Sequence, residues 1–334
     1  MTTTSSSDVL CFGNAIVDVL AHADDAFLAR HDMAKGSMAL IDADRATSLY
    51  DDMGPAVEIS GGSAANTAAG IASFGGQVGF VGKVGADQLG EVFTHDIRAV
   101  GVDYEVVRAA EGGSPTARCL ILVTPDAQRT MNTFLGASAE VHPDDVPLDR
   151  VRATKVLYCE GYLWDPPEAK AAMRAAMTAA VEANVKVAFT LSDAFCVDRH
   201  RDEFLELLDG PVDILFANEA EIMSLYETAS WEAAVDRVRG HVEIACLTRS
   251  DAGSHIVAGH SEIQILAQPV AKVVDTTGAG DLYASGFLYG YTRGFELVTC
   301  GDLAALAAAE VISHVGARPQ RPLAELAREA GLLR

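Results

Sequence analysis

DTTGAGDLYASGFLYG, residues 275–290, places a flexible turn, Gly278-Ala279-Gly280, directly ahead of an acid, Asp281. Past that acid, Leu282, Ser285, Gly286 and Tyr289 fall at offsets of three and four, the spacing of one helix face. The stretch therefore reads as a glycine loop feeding a helix N-terminus. Such a terminus carries free backbone N–H groups and partial positive charge, so it can hold a phosphate. Glycine lets the backbone approach a ligand with no Cβ in the way. Asp281 stands at the mouth of that anion hole, where a carboxylate can take the proton of an attacking hydroxyl. A plain helix entry with an acidic first turn looks the same, so the rest of the chain has to decide.

Upstream, from about residue 151, the pattern alternates. Val156–Tyr158 reads as a strand, 167–183 as an alanine-rich helix, Val185–Leu191 as a strand, 198–208 as a helix and Val212–Phe216 as a strand. Alternation of this kind implies right-handed crossovers and a mostly parallel sheet covered on both faces, with ligands at the carboxyl ends of its strands. Ile244–Thr248 is a further strand, and a helix is expected over Leu303–His314. At the other end of the chain, Val9–Phe12 opens a first strand spanning 8–20, interrupted by Asn14 and Asp18. The runs at 36–60 and 102–135 are β-type but do not alternate with helices, which predicts a small separate sheet. Between them Gly61-Gly62-Ser63-Ala64-Ala65-Asn66 leads into a helix reaching about Phe74. Gly82-Lys83 is not a phosphate-binding P-loop, because Gln77 and Val84 stand where Gly and Ser or Thr are needed. Gly-x-Gly-x-x-Gly is absent from every strand-to-helix turn, which excludes a dinucleotide fingerprint.

Composition sets the remaining bounds. With 334 residues and 49% hydrophobic content the chain can bury a large core. Its 47 acidic against 25 basic residues, a net charge of −22, exclude nucleic acid and anionic membrane as partners. The six cysteines are scattered with no C-x-x-C, as suits reduced thiols in the cytoplasm. MTTTSSSD has neither a basic region nor an apolar core and is read as a polar tail, not a signal peptide. No apolar run reaches membrane-spanning length.

DTTGAGD and, far upstream, GGSAANTAAGIASFGGQVGFVGKVGADQLG (61–90) resemble the two signatures of the PfkB (ribokinase-like) family of carbohydrate and nucleoside kinases, in the family's order. The likeness covers nearly the whole chain and looks nearest to the bacterial adenosine kinase branch. It implies an α/β fold, a three-layer α/β/α sandwich with a central mostly parallel sheet. Residues 1–334 would form one kinase domain whose small β-sheet lid is built by insertions at about 22–60 and 102–135. The implied reaction is ATP-dependent phosphorylation of a nucleoside 5′-hydroxyl, adenosine to AMP. Asp281 would be the base, and Gly278, Ala279 and Gly280 the anion hole.

The resemblance assigns the substrate to Asn14, Asp18, Gly62, Ser63 and Asn66, with Asp18 on the ribose hydroxyls. Asn14 is the candidate reader of the purine edge, since an amide both donates and accepts. Met33, Met38, Met131, Phe134 and Leu135 offer apolar contacts to a base. ATP falls to Asn218, Glu221, Thr248, Ser250, Gly253, Gly278 and Gly280, with Glu221 ordering Mg²⁺ through water. Asn218 and Glu221 lie three apart, on one face of an opening helical turn. Asp275 and Thr277 match the residues of a K⁺ site, and Gly316-Ala317-Arg318-Pro319 resembles the segment that lines that site and the adenine, although Gln320 replaces the Ser of many relatives. Arg249 departs from the family's usual pattern and has no assigned role. A monomer or homodimer is expected. Other readings are a sugar kinase for ribose or fructose, a kinase for inosine or guanosine, and a catalytically silent sensor. Loss of Asp281 or Glu221 would mark a sensor, and both are present.

Overall fold

The computed structural model describes residues 7–126 and 128–334, so most of the polar tail lies outside the described residues. Among these, nine strands form one sheet, in the order Ser261–Ile265, Ser254–Ala258, Ile244–Thr248, Ile214–Asn218, Lys186–Thr190, Val156–Glu160, Val9–Phe12, Val78–Val81 and Asp103–Tyr104. The run from Ile244–Thr248 to Asp103–Tyr104 is parallel, and only the last two at the other edge are antiparallel. Alternation along each strand explains why both faces are covered. Leu10, Phe12, Leu157, Cys159, Val187 and Phe189 pack toward the helices Pro167–Glu182, Ala194–Leu208 and Trp231–Val238. Val9, Cys11, Val156, Tyr158, Ile214 and Phe216 pack the other way, toward Ser63–Ser73, Gln88–Ala99 and Ala279–Thr292. Period-two side chains that are apolar on both sides give a strand no choice but the centre of a sandwich.

The stretch 8–20 is not one strand. It breaks at Gly13-Asn14-Ala15, and Ile16–His22 then joins a second, five-stranded sheet. That sheet runs Met38–Leu40, Arg129–Phe134, Ala117–Val123, Ile16–His22, Ala56–Gly61. Close packing at the break requires glycine, because a Cβ at Gly13 would lie 2.3 Å from a Glu160 carboxylate oxygen and 2.6 Å from Ala64 Cβ. Of the segment 102–135, only Ala117–Val123 and Arg129–Phe134 enter the small sheet. Asp103–Tyr104 edges the large one, and Val107–Arg108 pairs with Lys83–Val84.

One face of the small sheet is sealed. Val17, Val19, Leu120 and Leu122 are buried there, with Leu28 and Leu49 of the helices Asp25–Arg30 and Ala43–Asp52 among their apolar neighbours. On the opposite face the register aligns two rows. Leu40, Thr133, Cys119, Asp18 and Ile59 form one, and Met38, Met131, Ile121, Leu20 and Val57 the other. Helix boundaries elsewhere shift only modestly from expectation. The helix expected at 198 begins at Ala194, because the Asp193 carboxylate accepts from Cys196 N and caps it. The helix expected at Leu303–His314 spans Leu297–Val311, and a further helix, Leu323–Glu329, follows it. Among the described residues no helix is long and apolar enough to cross a membrane.

Candidate active site

The helix Ala279–Thr292 starts where Gly278 takes the left-handed conformation, φ 78°. The N–H groups of such a first turn lack intrahelical acceptors, and that of Ala279 donates back to the Thr276 carbonyl (3.2 Å). The position demands glycine twice over, since a Cβ there would also fall 2.7 Å from Ala317 Cβ. Asp281 follows in the first turn. Its Oδ1 accepts from Ser63 Oγ (2.6 Å) and its Oδ2 from Asn66 Nδ2 (2.9 Å), and Thr67 Oγ1 donates to its carbonyl (3.1 Å). Burial raises the Asp281 carboxyl above the ordinary carboxylate range, against the pull of Ser63, Asn66 and the Arg318 charge. The N-terminal glycine turn and the C-terminal one thus meet at this acid. Asn66 Oδ1 is buried with no partner among the described residues, an acceptor left for a hydroxyl donor.

Asp18 lies on the small sheet beside this centre. Burial pushes it up to about 6, Arg318 and Arg129 pull it down, and Asp281 pushes it up further. Gly61 is required here too, because a Cβ would lie 2.4 Å from Asp18 Oδ2. Gly62, at φ 96°, brings its backbone so near Asn14 that a Cβ would fall 2.2 Å from the Asn14 carbonyl oxygen. Asn14 itself is 3% exposed and its amide is already engaged. Nδ2 donates to Glu160 Oε1 (2.6 Å), as does the backbone N (2.8 Å), and Oδ1 accepts from Ser138 Oγ (2.9 Å). Asn14 therefore braces the joint between the two sheets rather than facing a base.

Glu160, which sequence reasoning passed over, anchors that joint. Its other oxygen accepts from Ala64 N at 2.7 Å, and burial pushes its carboxyl up to about 7. Only its place at the carboxyl end of a buried strand signalled it.

At the neighbouring strand ends, Asn218 caps the helix Glu219–Leu225. Its Oδ1 accepts from Glu221 N (2.9 Å), while Glu221 Oε2 accepts from Asn218 N (2.9 Å). This reciprocal capping box is a local structural reason for both residues. It leaves Glu221 buried and pushed up to about 7 by that burial, with Asp193 and Asp281 adding to it. Asn218 pairs in register with Thr248 on the adjacent strand. Beyond Thr248, Ser250 sits at φ 50° and Gly253 at φ 85°, where a Cβ would lie 2.1 Å from the Ile265 carbonyl oxygen. Arg249 turns away: Nε and Nη2 donate to Glu219 Oε1 (3.1 and 2.9 Å), and the guanidinium lies 4.5 Å from the Trp231 ring centre. It ties the turn after Thr248 to the first residues of the helices Glu219–Leu225 and Trp231–Val238.

Asp275 and Thr277 carry a cation of the chain's own. Asp275 Oδ1 accepts from Thr277 N and Oγ1 (3.1 and 2.8 Å). Its Oδ2 accepts from Gly316 N (2.9 Å) and pairs with Arg129 Nη1 (2.8 Å). Arg129 Nη1 also donates to Thr277 Oγ1 (3.1 Å), and Nη2 is buried without a partner among the described residues. Arg129 starts a small-sheet strand, where a lone arginine in sequence reads as solvated surface.

Comparison with known proteins gives these residues a context. A model of the family described as "pfkB family carbohydrate kinase" matches residues 36–323. A solved structure of adenosine kinase from Sinorhizobium meliloti is 52% identical, with a TM-score of 0.89, covering 98% of this chain and 100% of that one. A probable sugar kinase from Rhizobium etli CFN 42 is 51% identical, with a TM-score of 0.91 and coverage of 99% and 100%. The adenosine kinase of Saccharomyces cerevisiae is 28% identical over 336 residues, covering 93% of this chain and 96% of its own length.

Proposed function

Since the chain belongs to the pfkB family of carbohydrate kinases, and so transfers a phosphoryl group from ATP to a hydroxyl, we propose that its acceptor is the 5′-hydroxyl of adenosine. The observation that carries this reading is the open face of the small sheet. In the two rows around Asp18, Met38, Leu40, Val57 and Ile59 are 51%, 61%, 57% and 37% exposed. A free sugar has no use for such a surface, whereas a purine has two apolar faces to bury against it. The small sheet then acts as a lid, formed largely by the segments about 22–60 and 102–135, which excludes water from the transferring phosphoryl group.

On this reading Asp18 accepts from the ribose 2′- and 3′-hydroxyls, and Gly62, Ser63 and Asn66 line the sugar. Asp281, aligned by Ser63 and Asn66, takes the 5′-hydroxyl proton as that oxygen attacks. The amides of 278–281 stabilise the equatorial oxygens, and the free Nη2 of Arg129 is a further donor for them. Thr248, Ser250 and Gly253 underlie the nucleotide. Glu221 suits water-mediated contact with Mg²⁺, because a dication nearby would favour the carboxylate form that burial opposes. Bound with ATP, Mg²⁺ neutralises phosphate charge.

K⁺ fits less well. Both Asp275 oxygens are committed, one of them to the Arg129 guanidinium. Rates in Na⁺ and K⁺ at one ionic strength should therefore agree, and a large gain in K⁺ would show that the ion displaces Arg129. The six free, buried cysteines suit the reducing cytoplasm.

The acceptor is tested by removing one hydroxyl. A hydrogen bond to a charged group is worth about 1.5–3 kcal/mol. 2′-Deoxyadenosine should lose roughly tenfold or more in kcat/KM against adenosine, and Asp18→Ala should erase that preference. Equal kcat/KM for the two nucleosides in the wild type would remove Asp18 from ribose recognition.

A further inference from the structure

The sugar turn at 60–65 and the phosphate turn at 275–281 come from opposite ends of the chain, and three consecutive residues join them. Gly316 N donates to Asp275 Oδ2, and Ala317 packs on Gly278. Arg318 then reaches the other turn. Its Nε and Nη2 donate to the Ser60 carbonyl (2.9 and 2.7 Å), Nη2 also to Ser60 Oγ (3.0 Å), and Nη1 to the Ala65 carbonyl (2.6 Å). The guanidinium thus brackets the segment that holds Gly62 and Ser63. Ser60 is fixed from behind, its N and Oγ donating to Asp96 Oδ2 (2.8 and 2.6 Å).

Two carbonyls do not need a full charge to tie them, and burying one is costly. The cost shows in Arg318 itself, which burial lowers to about 10 against the opposing pull of Asp96, Asp18 and Asp281. What the charge does is felt at two carboxylates that must be ionised to work: Arg318 is a lowering influence on both Asp18 and Asp281. We propose that Arg318 is a positioning residue of phosphoryl transfer, holding the sugar turn in register with the phosphate turn and setting a buried positive charge on the acid centre of Asp18 and Asp281. The proposal rests on the kinase reading but not on the identity of the acceptor.

Arg318→Met and Arg318→Lys separate the two duties. The acceptor in the assay is whichever hydroxyl compound the wild type phosphorylates fastest, so a wrong acceptor assignment does not affect the outcome. Misplacing a reacting group slightly costs about a hundredfold. Arg318→Met should lose about that in kcat/KM for the acceptor, with the KM for ATP within roughly threefold of wild type. The acid limb of its pH profile should also move to higher pH. The other charges facing these two acids are Glu160 and Glu221 beside Asp281, Arg129 beside Asp18, and each acid beside the other, and all remain in the variant. Arg318→Lys should leave the limb in place yet still lower kcat, because one ammonium cannot bridge both carbonyls. A purely structural brace would lower the melting temperature without moving the limb. A folded Arg318→Met with a wild-type limb overturns the proposal. If that variant does not fold, Arg318→Lys decides: a wild-type kcat overturns it, and a reduced kcat with an unmoved limb supports it.

Discussion

Asp281 takes its working geometry from two donors more than 200 positions away in the chain, Ser63 and Asn66. Replacing it with Asn keeps the size and one acceptor but removes the base. Asp281→Asn should retain ATP and nucleoside binding while kcat falls roughly 10²–10⁴-fold. A rate within about threefold of wild type would take Asp281 out of the mechanism. The sign of the pH dependence follows from the direction of its shift. Burial raises the carboxyl, so the base is lost as the pH falls through a value above the ordinary 3.9 or so of an aspartate. The acid limb of kcat/KM should therefore lie above that value in the wild type. Asp281 was legible in sequence because three small residues precede it at a helix start. Glu160 and Arg129 were not, since each gains its meaning from a partner that only the fold brings near, Asn14 and Asp275. Arg318 reads in sequence only as part of an adenine and cation segment, Gly316–Pro319, and its hold on Ser60 comes from the fold.

At the scale of elements, two glycines distinguish what the fold needs from what the ligand needs. Gly62 is held at φ 96° with the Asn14 carbonyl in the space a Cβ would take. Gly62→Ala should therefore lose stability, by about 2–5 kcal/mol for the positive-φ strain plus the overlap. Gly280 lies in the first turn of a helix with nothing within 4 Å of its would-be Cβ. The protein has no packing reason for glycine there, and alanine should stabilise the helix by roughly 0.5–1 kcal/mol. If that opening is where the phosphate approaches, Gly280→Ala melts higher but turns over more slowly. Calorimetry and initial rates on the two variants check both halves, and an active, more stable Gly280→Ala would move the phosphate elsewhere. The βαβ alternation was readable because apolar runs and helical periods follow one another cleanly from Val156 to Thr248. The break at Gly13-Asn14-Ala15 was not, because a strand that changes sheets keeps its extended, apolar character on both sides of the joint.

For the whole molecule, the proposed reading gives the phosphate chemistry to the large sheet and the choice of acceptor to the small one. A net charge of −22 leaves the anion to be held locally, by the turn at 278–281 with Arg129 and Arg318 close by. A mostly parallel sheet with a small companion could be outlined from sequence, which also offers Met38 and Met131 as apolar contacts, but the full open face could not be assembled. Met38, Leu40, Val57 and Ile59 come from separate segments, and only cross-strand register puts them beside Asp18. That face carries the claim that the acceptor is a nucleoside, and a mixed assay tests it most directly. Adenosine, ribose and fructose at equal concentration compete for limiting ATP, and phosphorus NMR identifies the product. The account predicts adenosine 5′-monophosphate as the dominant product, in step with ADP. A sugar phosphate formed faster than AMP would leave the chain a kinase of this family and contradict its reading as one that acts on adenosine.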